Sequence, residues 1–196
     1  MGNCLDSEEP MATAEVDVWT APVQKAVSRC KELNINLLAI DFDQTILDTH
    51  TGGNWKGTAE ELLQHVRPMF RHLIPAALDE GIHVAVVTFS AQTELVRQVL
   101  EALTDKAAEI PIRGGFPGRT FIYEGQGSTQ GKQAHMASAV EELEERNKGL
   151  EVTKESTVLI DDDAKNIRFA FQHGVRAIWL NPNKSSELLK DMNELL

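Results

Sequence analysis

Residues 37–45 read LLAIDFDQT, an apolar run that leads directly into two aspartates separated by one residue and then a threonine. Such a run predicts a buried β-strand, and the aspartates then lie at its carboxyl end, where open α/β sheets bind their ligands. Because side chains alternate along a strand, those of Asp41 and Asp43 are expected to point the same way. The sequence therefore predicts two carboxylates that converge on one small region.

A second acidic cluster closes a later apolar run, TVLIDDD at residues 157–163. Crowded carboxylates repel each other, and a divalent cation bound between them would relieve that repulsion. We expect the two clusters to meet around one metal ion. The sequence leaves open which of Asp161, Asp162 and Asp163 is the ligand, because three consecutive carboxylates at a strand end cannot all serve one ion.

Two further polar signals lie between the acidic clusters. The apolar run IHVAVVTFS at residues 82–90 ends in Thr88 and Ser90, and Lys132 follows the glycine-rich segment EGQGSTQGK at the predicted start of a helix. In chain order the motifs are Asp-x-Asp-x-Thr, a strand-terminal Thr, a Lys and a strand-terminal acidic cluster. This order resembles the haloacid dehalogenase (HAD) superfamily of phosphohydrolases, and in particular its capless, magnesium-dependent phosphatases.

The resemblance implies a role for each matching residue. Asp41 corresponds to the nucleophile that is transiently phosphorylated, and Asp43 to the general acid and base. Such a reaction needs cations and hydrogen-bond donors, because an anionic carboxylate attacks an anionic phosphoryl group. By resemblance, Thr88 bonds the transferring phosphoryl group, and Lys132 orients the nucleophile and offsets its charge. The residues expected to bind phosphate are Thr88, Phe89, Ser90 and Lys132.

The resemblance also implies Mg²⁺ as the cofactor. Mg²⁺ prefers oxygen ligands and is usually bound through one or two carboxylates. The expected ligands are Asp41, Asp162 and the backbone carbonyl of Asp43. The residues expected to support these ligands are Asp161, Asp163, Asn166 and Thr45. Two positions depart from the family pattern, since Gln44 replaces a common glycine and Asn166 replaces the second acid of the late motif.

Apolar strands alternate with helical stripes along the chain, which predicts an α/β fold. The resemblance implies the HAD-like Rossmannoid form of it, a three-layer sandwich with a central parallel sheet and no large cap domain. Helices are expected in residues 16–33, 62–78 (divided or kinked by Pro68 and Pro75), 95–103, after Lys132, in 165–173 and around 188–195. Strands are expected in residues 37–45, 82–90, 120–123, 157–163 and 176–180.

Neither position at which this family inserts a cap domain has enough sequence for one. The first offers residues 46–57 and the second a loop such as EIPIRGGFPGR, and segments this short cannot bury a core. The open site that follows suits a phosphoprotein or another large phosphorylated substrate, gripped by loops that carry His50 and Trp55. An alternative is a small-metabolite phosphatase whose site is covered by a neighbouring subunit, and the sequence does not decide the oligomeric state.

Two other classes of function are weighed against a phosphatase. A receiver domain also gathers Asp, Thr and Lys around Mg²⁺, but its acceptor lies on the third strand, whereas here the paired aspartates come first. A catalytically silent phosphopeptide-binding module is the second alternative, and the intact set of Asp41, Asp43, Thr88 and Lys132 argues against it.

The 196 residues carry a net charge of −11, are 42% hydrophobic and include two cysteines. This composition predicts a single domain over residues 18–196, preceded by a disordered acidic tail over residues 1–17. The negative charge argues against a nucleic-acid partner, because such partners are bound through Lys and Arg. The chain contains no apolar run long enough for a transmembrane segment, and few cysteines predict a cytoplasmic location.

The first residues, MGNCLDSEEP, raise one alternative for the location. Gly2 could carry a myristoyl group and Cys4 a palmitoyl group, which together would attach the protein peripherally to a membrane. The segment carries acids and no base before Lys25, so anionic leaflets would repel it.

Overall fold

The structure is a computed structural model that describes residues 17–125 and 128–196. Five parallel strands form one sheet in the order β3-β2-β1-β4-β5. The strands are β1 (Leu37–Ile40), β2 (His83–Thr88), β3 (Ile112–Gly114), β4 (Thr157–Asp161) and β5 (Arg176–Trp179). Because β1 is the central strand, its carboxyl end lies in the middle of the sheet edge.

Helices cover both faces of this sheet. They are α1 (Thr20–Glu32), α2 (Ala59–Leu63), α3 (Pro68–Asp79), α4 (Thr93–Glu101), α5 (Gln133–Arg146), α6 (Ala164–Gln172) and α7 (Leu188–Asn193). Leu38 and Ile40 of β1 belong to one core with α1, α3, α4 and α7, whereas Leu37 and Ala39 face α5 and α6. The predicted three-layer α/β fold with a central parallel sheet is confirmed.

The apolar stripe over residues 62–78 is divided at its first proline. α2 ends at Leu63, and α3 begins at Pro68. The N–H groups of a helix's first turn have no partner within the helix, so a proline there costs no hydrogen bond. Pro75 lies inside α3 and does not end it. The expectation that the prolines break or bend this stripe is confirmed at Pro68.

The third strand is not where the sequence pattern placed it. Residues 120–123 were expected to pair in the sheet, but Phe121 makes only an isolated bridge with Pro117, and β3 lies in the segment expected to be a loop. β3 pairs with β2 from Val86↔Ile112 to Thr88↔Gly114. Phe121 instead stacks on His135 of α5, so its aromatic character reflects helix packing and not strand pairing.

Residues 48–57 of the first insertion position form no helix or strand, and the second segment, EIPIRGGFPGR, contains β3. The expectations of an acidic disordered tail and of acylation at Gly2 and Cys4 lie outside the described residues, apart from Asp17 at the tail's end. Within residues 17–125 and 128–196, none of the helices has both the length and the hydropathy needed to span a bilayer.

Candidate active site

The chain turns sharply after β1, over residues 42–46. The Leu47 N–H donates to the Phe42 carbonyl (3.0 Å), which closes one wide turn. Gln44 within it has φ 58°, a left-handed conformation that is unfavourable for a residue with a Cβ. The buried Arg67 donates from Nη2 to the Gln44 carbonyl (3.2 Å) and so stabilises the turn. Glycine would adopt this conformation without strain, because it has no Cβ.

Asp41 and Lys132 form a buried ion pair at the end of β1. Lys132 Nζ donates to Asp41 Oδ1 at 2.8 Å, and the two side chains are 1% and 8% exposed. Lys132 directly precedes α5, and its ammonium group also lies 3.8 Å from the centroid of the Phe89 ring. The lysine is therefore held from two sides, by a carboxylate and by an aromatic face.

Asp43 is oriented by the loop that follows the turn. Its Oδ1 accepts from the Thr51 N–H (3.0 Å), and its Oδ2 accepts from Thr51 Oγ1 (2.9 Å). His50 Nδ1 lies 3.4 Å from the same Oδ2. The Asp43 carboxyl group is 13% exposed, so it is positioned by protein contacts and still reaches solvent.

Thr88 ends β2 beside this pair. Its Oγ1 accepts from the Ser90 N–H (3.1 Å), and Ser90 Oγ in turn accepts from the Gln92 N–H (3.3 Å). The Gln92 side chain forms two bonds with the Trp55 backbone, accepting from its N–H (2.6 Å) and donating to its carbonyl (3.0 Å). The loop after β2 is therefore tied to the loop that orients Asp43.

The second acidic cluster arrives on β4, which pairs directly with β1. Asp161 is buried, accepts from Asn166 Nδ2 at both carboxylate oxygens (3.1 and 3.0 Å) and accepts from the Asp163 N–H (2.8 Å). Asp163 accepts from the Lys165 N–H (2.8 Å) and so caps α6. Asp162, between them, is free of these structural bonds and faces the site.

One cavity of about 620 Å³ unites these groups at the carboxyl edge of the sheet. Ten of the eleven predicted site residues line it, namely Asp41, Asp43, Thr88, Phe89, Ser90, Lys132, Asp161, Asp162, Asp163 and Asn166. The exception is Thr45, which is fully buried beneath the cavity, with its Oγ1 3.5 Å from Asp162 Oδ1. The structure thus brings residues of all four motifs to one cavity.

Some lining residues were not singled out by sequence reasoning. Phe116, 54% exposed, stacks on Phe89 with ring centroids 5.1 Å apart, and Trp179, 47% exposed, donates from Nε1 to the Asp162 carbonyl (2.6 Å). Trp179 was detectable, because it lies near the carboxyl end of the strand predicted over residues 176–180. Of the two loop residues expected to grip a substrate, His50 lines the cavity and Trp55 does not.

Three carboxyl groups of the cavity, those of Asp41, Asp161 and Asp162, have raised pKa values. Burial raises the pKa of Asp41, and the Lys132 charge acts in the opposite direction. Burial and the Asp41 charge together raise the pKa of Asp161 to about 8 and that of Asp162 to about 6. Among the described residues that line the cavity, Lys132 is the only Lys or Arg. The negative charge of the cavity's carboxylates is therefore only partly balanced by positively charged side chains.

These donors fit a magnesium ion. Asp41, Asp162 and the Asp43 carbonyl supply hard oxygen ligands, and the mutual repulsion of the carboxylates is what a divalent cation offsets. In the described part of the chain, no three His, Cys, Asp or Glu side chains form a metal-binding group by themselves. Mg²⁺ needs only one or two carboxylates and completes its octahedron with waters and substrate phosphate.

No protein-family model and no curated protein sequence matches the chain. Solved structures similar to it include an uncharacterized protein from Corynebacterium glutamicum ATCC 13032 Kitasato (14% identity, 83% of this chain and 97% of that chain, TM-score 0.46). Another is the HAD domain of effector protein Lem4 from Legionella pneumophila, an inactive mutant (16% identity, 80% of this chain and 92% of that chain, TM-score 0.42). A third is a phosphoserine phosphohydrolase-like protein from Francisella tularensis subsp. tularensis SCHU S4 (10% identity, 71% of this chain and 84% of that chain, TM-score 0.40). At these TM-scores the similarities carry no argument about activity.

Proposed function

We propose that this chain is a phosphomonoester hydrolase of the HAD type that works through a phosphorylated Asp41. The observation that carries the proposal is the buried pair of Asp41 and Lys132, joined at 2.8 Å at the centre of an otherwise acidic cavity. A buried carboxylate paired with a single lysine beside four other carboxyl groups would be a poor structural device, because its desolvation is incompletely offset. The same arrangement suits a nucleophile that meets a phosphate.

In the first half-reaction, Asp41 attacks phosphorus and the bond from phosphorus to the leaving oxygen breaks. Lys132 occupies Asp41 Oδ1, which leaves Oδ2 as the attacking atom. Asp43, held by Thr51, gives its proton to the leaving alkoxide. Thr88 and the backbone N–H groups around Phe89 donate hydrogen bonds to the phosphoryl oxygens as charge spreads over them.

In the second half-reaction, a water molecule attacks the phosphorus of the aspartyl phosphate. Asp43, now a carboxylate, accepts a proton from this water, and the bond between phosphorus and Asp41 breaks. The products are inorganic phosphate and the original carboxylate, with Asp43 protonated again. One residue can serve both steps because its carboxyl group is fixed by Thr51 and also reaches solvent.

Mg²⁺ bound by Asp41, Asp162 and the Asp43 carbonyl would supply positive charge that lowers the repulsion between nucleophile and phosphate. The chain's own contribution is to hold these oxygen donors ready. Asn166 and the Asp163 N–H orient Asp161, which holds the loop that presents Asp162. The substrate is proposed to be a phosphoprotein or another large molecule, because neither insertion position in the described residues closes the cavity.

Phosphate release tests this function directly. Purified protein with Mg²⁺ is incubated with p-nitrophenyl phosphate, phosphoserine peptides, phosphotyrosine peptides and sugar phosphates. We expect release of phosphate and, in acid-quenched samples, a mass increase of one phosphoryl group on the peptide that contains Asp41. Beryllium fluoride, a mimic of the aspartyl phosphate, should inhibit.

Asp41→Asn is the decisive variant and Asp48→Asn its matched control. Both remove one carboxylate, but Asp48 is 53% exposed and lies outside the cavity. Asp41→Asn should be folded and inactive, and Asp48→Asn should keep full activity. A folded wild-type protein that binds phosphopeptides and never releases phosphate would instead show the silent binding module.

A further inference from the structure

A groove of about 490 Å³ adjoins the active-site cavity. We call it the β5 groove; it is formed by Phe171 of α6, all of β5 (Arg176–Trp179), and Asp191, Glu194, Leu195 and Leu196 in and after α7. Trp179 lines both the β5 groove and the active-site cavity. The two hollows are therefore neighbours that share one wall.

The β5 groove exposes the free edge of the sheet. β5 is the last strand in the sheet order and pairs only with β4 among the described residues. The Leu180 N–H donates to the Asp161 carbonyl on β4 (3.0 Å). Because backbone groups alternate sides along a strand, Ile178 also faces β4, and the N–H and C=O groups of Ala177 and Trp179 face the groove. Such an edge is a template for another strand.

The side chains around this edge indicate what kind of strand fits. Phe171 is 60% exposed and Trp179 is 47% exposed, so an apolar ring stands at each side of the groove. Asp191 and Glu194 bring two negative charges to the groove and Arg176 brings one positive charge, so the lining has a net negative charge. The surface therefore favours a segment with apolar and basic side chains.

The same charges disfavour a second copy of this chain as the occupant. In an edge-to-edge dimer of two identical copies, the net negative lining of one groove would face the same lining of the other. The chain as a whole carries a net charge of −11, which adds to that repulsion.

The distance from the edge to the nucleophile suits one continuous substrate segment. β1 and β5 are two strands apart in the sheet, and a strand added outside β5 would lie about 14 Å from β1. An extended chain covers about 3.3 Å per residue, so about four residues bridge that distance. The phosphorylated residue would therefore lie about four positions from the paired segment.

We propose that the β5 groove binds the substrate of the proposed phosphatase, a phosphoprotein segment that adds to β5 as a sixth strand and extends past Trp179 to Asp41. Backbone hydrogen bonds to Ala177 and Trp179 supply binding energy, and Phe171 and the acidic pair select apolar and basic side chains. The inference rests on the proposed function for its chemistry, and binding at the edge is measurable without turnover.

Binding is tested with the inactive variant Asp41→Asn. The probes are two synthetic peptides of about fifteen residues, each with a central phosphoserine and one Ile-Lys-Val-Lys segment. In one peptide this segment ends about four positions before the phosphoserine, and in the other it starts about four positions after it. Hydrogen exchange of the Ala177 and Trp179 amides should slow about tenfold or more when one of these peptides binds. The same peptide with alternate backbone nitrogens methylated cannot pair with the edge and should give no slowing.

Turnover is tested with variants of the groove. Ala177→Pro removes one outward-facing N–H at an edge strand, where proline is tolerated, and Phe171→Ser removes an exposed ring outside the active-site cavity. Each should lower kcat/KM for the favoured peptide about tenfold and leave p-nitrophenyl phosphate turnover unchanged. Ile122→Ser is the matched control, because Ile122 is 68% exposed and lies outside both the cavity and the groove.

The outcomes separate the two proposals. Slowed exchange without any phosphate release would support the groove and contradict the phosphatase. Phosphate release with no slowing, and with equal rates for the paired and methylated peptides, would overturn the groove and leave the phosphatase intact. A wild-type dimer in sedimentation that Ala177→Pro converts to a monomer would also overturn the inference, since the edge would then be occupied by a second copy.

Discussion

Lys132 Nζ donates a 2.8 Å hydrogen bond to Asp41 Oδ1 across 91 positions of the chain, with both side chains nearly inaccessible to solvent. The aspartate follows β1 and so lies at the centre of the sheet edge, and the lysine lies at the start of α5. Because β1 is flanked on both sides, the pair cannot separate without disturbing the core. This rigidity is what a preorganised nucleophile requires.

Lys132→Met is expected to lower kcat at least about a thousandfold, because the charge that faces the phosphoryl group is lost. The variant should also be destabilised by about 3 kcal/mol at pH 8, since Asp41 is left buried without a partner. At pH 5 the destabilisation should be smaller, because burial already raises the pKa of Asp41 and the unpaired group takes up a proton. Urea unfolding at both pH values measures this, with the exposed Lys148→Met as control.

Thr51→Val should impair proton transfer and spare phosphoryl binding. The change removes the Oγ1 donor to Asp43 (2.9 Å) and keeps the backbone N–H donor (3.0 Å). We expect kcat for alkyl phosphates to fall about tenfold with KM nearly constant. The rate for p-nitrophenyl phosphate should change much less, because its leaving group needs no protonation.

Thr104→Val is the matched control for that experiment. Thr104 Oγ1 accepts from the backbone N–H two residues later (3.2 Å), as Thr51 Oγ1 does (3.2 Å), but it lies outside the cavity. An equal loss of rate for alkyl and nitrophenyl substrates in Thr51→Val would contradict the assignment of Asp43 as the proton donor.

Mg²⁺ is expected to stabilise the folded protein, by about 2.7 kcal/mol at a concentration one hundred times its Kd. Its affinity should rise as the pH increases through about 6, because ligand carboxylates must be deprotonated and the pKa of the ligand Asp162 is raised to about 6. Thermal unfolding with and without Mg²⁺ measures the shift. Asp162→Asn should abolish most of it, and the exposed Asp105→Asn should not; an unchanged shift in Asp162→Asn would argue against this ligand.

His135 should make stability depend on pH in the acidic range. Its ring is fully buried beside Phe121, and burial lowers its pKa to about 4 from a usual 6.5. Between these values the unfolded chain binds a proton that the folded chain does not, so stability falls as the pH drops below about 6.5, and the loss is complete near pH 4. The full effect is about 3 kcal/mol.

His135→Gln removes this component while keeping a donor for the Gly115 carbonyl, which accepts from His135 Nε2 (2.8 Å). The difference in unfolding free energy between wild type and variant should shrink by about 3 kcal/mol between pH 7 and pH 4. A difference that stays constant over this range would show that His135 is not kept neutral in the fold. His173→Gln, at the end of α6, is the control.

The strands that carry the site were predictable because each is a continuous apolar run buried on both faces. In an α/β chain, such runs are assigned as strands of the parallel sheet; here they are LLAI, HVAVVT and TVLID. The polar residues that follow these strands must then meet at one edge of the sheet. The third strand was not predictable in this way. Ile112–Gly114 is short and glycine-bearing, and only the free edge of β2 makes it a strand. TFIY has the better pattern but is held by α5.

The site shows the same division. The sequence by itself determined which polar side chains meet at the sheet edge, because their order along the chain and their places after strands are local properties. Only the tertiary structure decided that Thr51 orients Asp43, that Arg67 stabilises the turn at Gln44, and that Trp179 separates the cavity from the open edge of β5. These relationships join residues that share no local pattern, since they depend on strand order and on how loops pack across the sheet edge.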